Sequence, residues 1–171
     1  MIKGLGSLEK RLEGYGNVDL AKPVAKAILH VQAAAKGLCL ADSGELRESI
    51  FTSVEQDERH TVGACYTNKA HATYIEFGTG LKGQKEHPGI SPDIPVAYTQ
   101  TPWWIPEGER EGGISKEAAD RYHMPRFELK DGDALRYTEG QPARPFMYPA
   151  LKDNEEDVLK IMQDEIRRQL L

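Results

Sequence analysis

A glycine-threonine-glycine run is the first place where this chain could bind a phosphate. It closes the stretch YIEFGTG, Tyr74–Gly80. A phosphate-binding loop places its glycines before a helix, so that free N–H groups point at the anion, and continues with Lys and then Ser or Thr. Here Gly78 and Gly80 follow a predicted helix, and Lys82 is followed by Gly83. We therefore predict a helix end, with Gly78 in the left-handed C′ position.

The histidines and cysteines do not have the spacing of a metal site. A zinc-binding helix carries two histidines three to five residues apart, and no two of the five histidines have that spacing. They are His30, His60, His71, His87 and His123. Cys39 and Cys65 form no Cys-x-x-Cys pair. We expect buried free thiols, with no metal and no cofactor.

Nucleophilic and acid-base chemistry has equally little support. None of Ser43, Ser49 and Ser53 lies in a Gly-x-Ser-x-Gly elbow. Glu76, in the middle of YIEF, could act as a catalytic acid, but it has no partner carboxylate nearby in the sequence. We expect Glu76 to pair with a cation such as Arg144 or to accept backbone hydrogen bonds. The chain is therefore not expected to be an enzyme.

The island TPWWIP carries Trp103, Trp104 and Ile105 between prolines. Aromatic pairs can stack on bases. The formal charge of −5 and the isoelectric point near 5.6 oppose nucleic-acid binding, because neutralising phosphates needs an excess of Lys and Arg. We therefore take these three residues as candidates for a protein interface.

The length of 171 residues fits one domain with its own core. The start of the chain, MIKGLGSLEKRLEG, lacks the apolar run of a signal peptide, and no apolar window approaches the ~18 residues of a membrane span. We expect a soluble cytoplasmic protein with no membrane contact. The prediction is a single α+β domain, residues 1–171, with an inserted excursion at about 81–140.

Helical periodicity predicts the main helices. They are one or two turns at 7–12, a long N-terminal helix at about 20–38, a short central helix ending before Gly78, and a C-terminal helix from near Pro149. The buried stripe of the last helix is expected to contain Leu151, Val158, Ile161, Met162, Ile166 and Leu170.

Alternation at 50–55 and 61–66 predicts a β-hairpin in a small antiparallel sheet. Two strands alone are marginal, so a third strand is expected to join them. Between 81 and 140 the pattern gives way to proline and glycine. Because a structureless loop of that length is improbable in a compact domain, the excursion should form its own small elements or order on a partner.

Three motifs together resemble a known family. YIEFGTG, ARPFMYPAL and SGELRESI, over residues 18–80 and 141–171, resemble the tail-component family of tailed bacteriophages named for the tenth gene product of phage HK97. The excursion is longer than expected for that family and inherits no function from it. The resemblance implies a structural or assembly role for Tyr74, Glu76, Phe77, Gly78, Gly80, Arg144, Pro145 and Phe146.

The resemblance implies a structural virion protein without enzymatic activity. It would form a homo-oligomeric ring, a hexamer or dodecamer, at the neck or head-tail junction. Its partners would be head-completion or connector proteins and tail terminator or tail tube proteins, and genomic DNA would pass without sequence-specific binding. The protein would lie in the virion, and in the host cytoplasm during assembly. A tail terminator or other tail-assembly component is the first alternative, and a small prophage-encoded hydrolase is the remote one.

Overall fold

The computed structural model describes residues 18–40, 44–108, 110 and 112–170. The helical turns predicted at 7–12 lie outside these residues. The chain forms two compact units, and the protein belongs to the α+β class. The terminal unit combines Met1–Ala72 with Pro145–Leu171, and the inserted unit is Thr73–Arg144.

The long N-terminal helix of the terminal unit, α1, is Ala21–Leu38, which confirms the prediction. The Asp19 carboxylate accepts the Ala21 N–H at 2.9 Å at its start. Ala27, Val31 and Ala35 recur every four residues and are buried. Small side chains on this stripe let neighbouring elements approach the helix closely. A short helix, α2, follows at Glu45–Glu48.

The predicted hairpin is confirmed as β1, Ile50–Gln56, and β2, Thr61–Thr67, paired antiparallel. The expectation of a third strand was wrong within the described residues, since this sheet has two strands. The hairpin is stabilised instead by packing on α1, a recognised alternative to a third strand. At Gly63 a Cβ would lie only 2.8 Å from Val24 Cγ1, so glycine permits this close approach.

The C-terminal segment departs from the prediction. It forms two helices, α6 at Met147–Lys152 and α7 at Glu155–Gln169, where one helix starting near Pro149 was expected. The Asn154 side chain, between them, donates to the Ala150 carbonyl at 2.9 Å. The predicted stripe was also wrong in part, because Leu151 and Leu170 are exposed and the fully buried residue of α7 is Glu165.

Glu165 is buried by an ion-pair network with α1. Its carboxylate is held by Lys26, lies 3.4 Å from Lys22 Nζ and 3.3 Å from Arg168 Nη1. At the other end of the helix pair, His30 Nε2 lies 3.3 Å from Asn154 Oδ1. The two helices therefore run antiparallel.

The inserted unit has its own sheet and helices. The helices are α3 (His71–Phe77), whose first two residues belong to the terminal unit, α4 (Gly80–Lys85) and α5 (Lys116–Arg121). The strands are β3 (Trp103–Pro106), β4 (Arg126–Glu128) and β5 (Ala134–Thr138). The sheet is antiparallel, with β5 between β3 and β4. The excursion thus forms small elements of its own.

One charged side chain lies in the middle of this unit. Arg136 on β5 is buried and is held by Glu107 at 2.5 Å and Asp120 at 2.8 Å. It also donates to the Met124 carbonyl at 3.0 Å. The two carboxylates compensate the buried guanidinium and connect the sheet to the end of α5. No helix of the described residues is long and apolar enough to span a bilayer.

Candidate assembly site

The inserted unit is closed at its base by a short antiparallel bridge between Thr79 and Gln141. The Thr79 N–H donates to the Gln141 carbonyl at 2.9 Å, and the Gln141 N–H donates to the Thr79 carbonyl at 3.1 Å. The Lys82 N–H donates to the Glu139 carbonyl at 3.1 Å. We call this pairing of residues 78–80 with 139–141 the base bridge. It places the end of YIEFGTG beside residues that lie just before ARPFMYPAL.

Donors from Gln141, Arg144 and Tyr98 cap the end of α3. The Gln141 side-chain amide donates to the Tyr74 carbonyl at 2.9 Å, and the Arg144 N–H donates to the Ile75 carbonyl at 2.8 Å. The Tyr98 hydroxyl donates to the Phe77 carbonyl at 2.9 Å. The last carbonyls of a helix have no partner within the helix, so these donors satisfy groups that would otherwise need water.

Glycine is required at three positions of the base bridge. Gly78 ends α3 with φ +73°, which confirms the predicted left-handed C′ residue. Gly80 has φ +60°, and a Cβ there would lie 2.5 Å from the Glu139 carbonyl oxygen. Gly140 has φ +94°, and its Cβ would collide with the Thr79 carbonyl. Both the backbone conformation and the close approach exclude a side chain at these positions.

The structure contains a helix that the sequence analysis did not predict, α4, which begins at Gly80. Gly78 therefore lies between two helices and Gly80 is the first residue of the second, whereas both glycines were expected to follow a single helix. The third and fourth N–H groups of α4 are used within the protein: Lys82 donates to the Glu139 carbonyl, and Gly83 donates to the Thr79 carbonyl at 2.9 Å. The arrangement is a turn held by the base bridge.

Of the two arrangements expected for Glu76, the ion pair with Arg144 does not form. Glu76 is only 6% exposed and has interaction partners, whereas the Arg144 side chain is exposed. Among the ion pairs of the described residues, none joins the two side chains. The prediction overlooked that Arg144 reaches α3 through its backbone N–H, while its side chain remains exposed.

The remaining motif residues have different environments. Tyr74 is exposed, and Phe77 is half-buried. Pro145 and Phe146 belong to the terminal unit, where Phe146 is fully buried. Phe146 is therefore a buried residue and not part of an exposed surface.

The three interface candidates lie on β3, and their side chains alternate. Trp104 is 49% exposed, while Trp103 and Ile105 are half-buried. Around Trp104 the sheet adds Tyr137, with ring centroids 5.3 Å apart, and the exposed Phe127, with ring centroids 6.0 Å apart. We call Trp104, Phe127 and Tyr137 the aromatic face. Sequence reasoning missed the last two because strands as short as RFE and ALRYT give no clear alternation.

A second exposed apolar surface lies on the hairpin. Phe51 and Tyr66 are paired across β1 and β2, are both 46% exposed, and have ring centroids 6.2 Å apart. Val62 on β2 is 57% exposed. We call these three residues the hairpin face. Their alternation along the strands was visible in the sequence, but the side of the hairpin that packs on α1 was not.

The cysteine thiols have little nucleophilic character. Cys39 and Cys65 are free. Burial raises the pKa of both thiols, and this outweighs the lowering by Arg47 near Cys39 and by Lys36 near Cys65. Within the described residues, no three His, Cys, Asp or Glu side chains are grouped as a metal site.

The terminal unit therefore offers the hairpin face, and the inserted unit separately offers the base bridge and the aromatic face. Comparisons with family models, with curated proteins and with solved structures found no match to this chain.

Proposed function

We propose that this protein is a structural subunit of a tailed bacteriophage that forms a ring at the head-tail junction. In this role it connects the head connector to the tail tube and surrounds the channel through which DNA passes. It acts through its surfaces, by binding copies of itself and the neighbouring rings.

The observation that carries this proposal is the contact between two motifs of the resemblance. YIEFGTG and ARPFMYPAL are far apart in the sequence, and each is too short to be specific alone. In the fold the Arg144 N–H donates to the Ile75 carbonyl at 2.8 Å, and the base bridge pairs Thr79 with Gln141, two residues before the second motif. Unrelated chance matches have no reason to meet in space, so their contact supports the resemblance to the tail-component family.

The exposed surfaces support assembly. The hairpin face presents Phe51, Tyr66 and Val62 to solvent on a two-stranded sheet, where an exposed apolar patch and open strand edges favour association. Contact between such a face and a different surface on the next copy is head-to-tail, and repeated head-to-tail contacts form a ring when the rotation from one copy to the next closes. The net charge of −5 also suits a DNA conduit, since a strongly basic channel would retain DNA.

The test is particle assembly with a variant of the hairpin face. Phe51→Glu places a charge in the apolar surface without changing a buried residue. We expect phage made with this variant to accumulate heads and tails that are not joined, as seen by electron microscopy. Ile94→Glu, at an exposed apolar residue of the inserted unit, is the matched control and should give joined particles. Normal particles with Phe51→Glu, in protein that folds normally, would reject this role of the hairpin face.

A further inference from the structure

The inserted unit contains a cavity of about 470 Å³ next to the base bridge. Thr79, Gly140 and Gln141 form part of its lining. This volume lies within the range of about 300–1,000 Å³ that is typical of small-ligand sites. The cavity is distinct from the aromatic face except at Tyr137, which contributes to both.

The lining combines apolar walls with charged groups. Trp103, Ile105 and Met124 provide half-buried apolar surface. Lys82 and Arg144 provide two cations, and Glu139 provides one carboxylate. A mostly apolar cavity with a few charged groups is the usual composition of a site for an organic ligand.

The two cations are available to a ligand. Neither Lys82 nor Arg144 takes part in an ion pair with another described residue. Arg136 of the same unit is different, because Glu107 and Asp120 occupy its guanidinium. In a protein with a net charge of −5, two unpaired cations lining one cavity form a locally positive site.

His123 also lines the cavity, directly after the end of α5. Its φ of +53° is the left-handed conformation in which many helices end, and the Met124 N–H donates to the Ala119 carbonyl at 3.0 Å across this end. Histidine is one of the residues other than glycine that adopt this conformation most often, so the helix end accounts for the backbone here.

We propose that this cavity binds a carboxylate carried on a flat apolar stem. The guanidinium of Arg144 can take both oxygens of the carboxylate, and Lys82 adds a second positive charge. The stem would lie against Trp103, Ile105 and Met124. Glu139 repels the ligand and keeps the affinity moderate. A free organic acid and the carboxyl end of a peptide share this chemistry, and the site is inferred independently of the ring proposed above.

The full chain can be titrated with three probes and followed by NMR chemical shifts of the Trp103 indole N–H. The probes are 4-phenylbutyrate, its uncharged analogue 4-phenylbutyramide, and N-acetyl-glycyl-phenylalanine with a free carboxylate. We expect saturable binding of both carboxylates and binding of the amide weaker by about fivefold or more, which corresponds to about 1 kcal/mol. The carboxylate that binds more tightly shows which kind of ligand the site takes. Tighter binding of 4-phenylbutyrate indicates a free organic acid, and tighter binding of N-acetyl-glycyl-phenylalanine indicates the carboxyl end of a peptide.

Variants separate this site from non-specific binding. Arg144→Gln and Lys82→Gln should each weaken carboxylate binding about threefold or more while leaving amide binding unchanged. Glu139→Gln should strengthen carboxylate binding, since it removes a repulsive charge. Arg59→Gln, at an exposed residue of the hairpin turn, is the control and should have no effect. The proposal would be overturned by any one of three results. They are an absence of saturable binding, equal affinity for the acid and the amide, and a carboxylate affinity that neither Arg144→Gln nor Lys82→Gln changes.

Discussion

Thr79 and Gln141 exchange two backbone hydrogen bonds, at 2.9 and 3.1 Å, although 62 residues separate them in the chain. The segment between them therefore leaves and returns at one point of the inserted unit. Because the closure is made by backbone groups, it depends on how closely the two chain segments can approach, and glycine at three positions permits that approach.

Gly140→Ala tests this closure. The new Cβ would collide with the Thr79 carbonyl at a backbone with φ +94°, so we expect a loss of about 2–4 kcal/mol in the free energy of unfolding, from backbone strain and overpacking together. Gly132→Ala is the matched control, because Gly132 has φ +89° but open space around it, and should cost about 1–2 kcal/mol. Urea denaturation measures both. Equal losses of unfolding free energy in the two variants would show that the close approach of the chain segments at the base bridge does not affect stability.

The excursion at 81–140 is expected to be dispensable for folding of the terminal unit but necessary for assembly. The largest fully buried side chains, Phe146, Ile50 and Pro23, all lie outside it. Since Thr79 and Gln141 are adjacent, a short Gly/Ser linker can replace the excursion without stretching the chain. Circular dichroism should show cooperative thermal unfolding of the shortened protein, while particles made with it should not be completed. An insoluble or unfolded product would place the excursion within the folding core.

Elements with long local patterns could be predicted from the sequence. Four-residue spacing along α1 and alternation along the hairpin each repeat several times, so the predicted 20–38 helix and the two strands agree with Ala21–Leu38, Ile50–Gln56 and Thr61–Thr67. The conformation of Gly78 was predictable because a glycine that directly follows a helical pattern commonly ends the helix in the left-handed conformation.

Features that depend on distant partners could not be predicted. Glu165 was assigned to no buried face, since its burial becomes favourable only when Lys22 and Lys26 on α1 join Arg168 around the carboxylate. The Arg144 prediction failed for a related reason: the sequence showed a cation near a motif but not that its backbone, rather than its side chain, reaches α3. The base bridge joins residues 62 apart, which no local periodicity reports.

Glu165 should make the stability of the terminal unit depend on pH. The hydrogen bond from Lys26, supported by Lys22, holds the pKa of Glu165 below its usual value despite opposing burial. A carboxylate with a lowered folded-state pKa stabilises the protein above its unfolded pKa, near 4.3, and this contribution disappears as the pH falls through the folded-state pKa.

Glu165→Gln should therefore lower Tm at pH 7, and its difference from the unmodified protein should shrink below about pH 4.3. Thermal unfolding between pH 7 and pH 2.5 measures this. Glu156→Gln on the same helix is the control, since Glu156 is exposed, and should leave Tm almost unchanged at each pH. A Tm difference for Glu165→Gln that is independent of pH would contradict the ion-pair explanation.

Arg144 should be nearly neutral for stability, in contrast to Glu76. Arg144→Ala removes an exposed side chain and retains the backbone N–H that caps α3, so we expect a change within about 0.5 kcal/mol. Glu76→Ala removes a buried side chain with its interactions and should cost about 1–3 kcal/mol. Chemical denaturation of both variants gives the comparison. A loss of 2 kcal/mol or more for Arg144→Ala would contradict this expectation and would indicate a buried ion pair that the structure does not contain.

The central claim is that this protein works as a closed ring around the tail axis. A three-dimensional reconstruction of the assembled particle by electron microscopy tests it most directly, since the ring interface can depend on the neighbouring ring and be absent in dilute solution. We expect six or twelve copies of this fold around the axis at the head-tail junction, each contributing its hairpin face to the contact with the next. One or two copies away from the axis, or no copy in the particle, would contradict the claim.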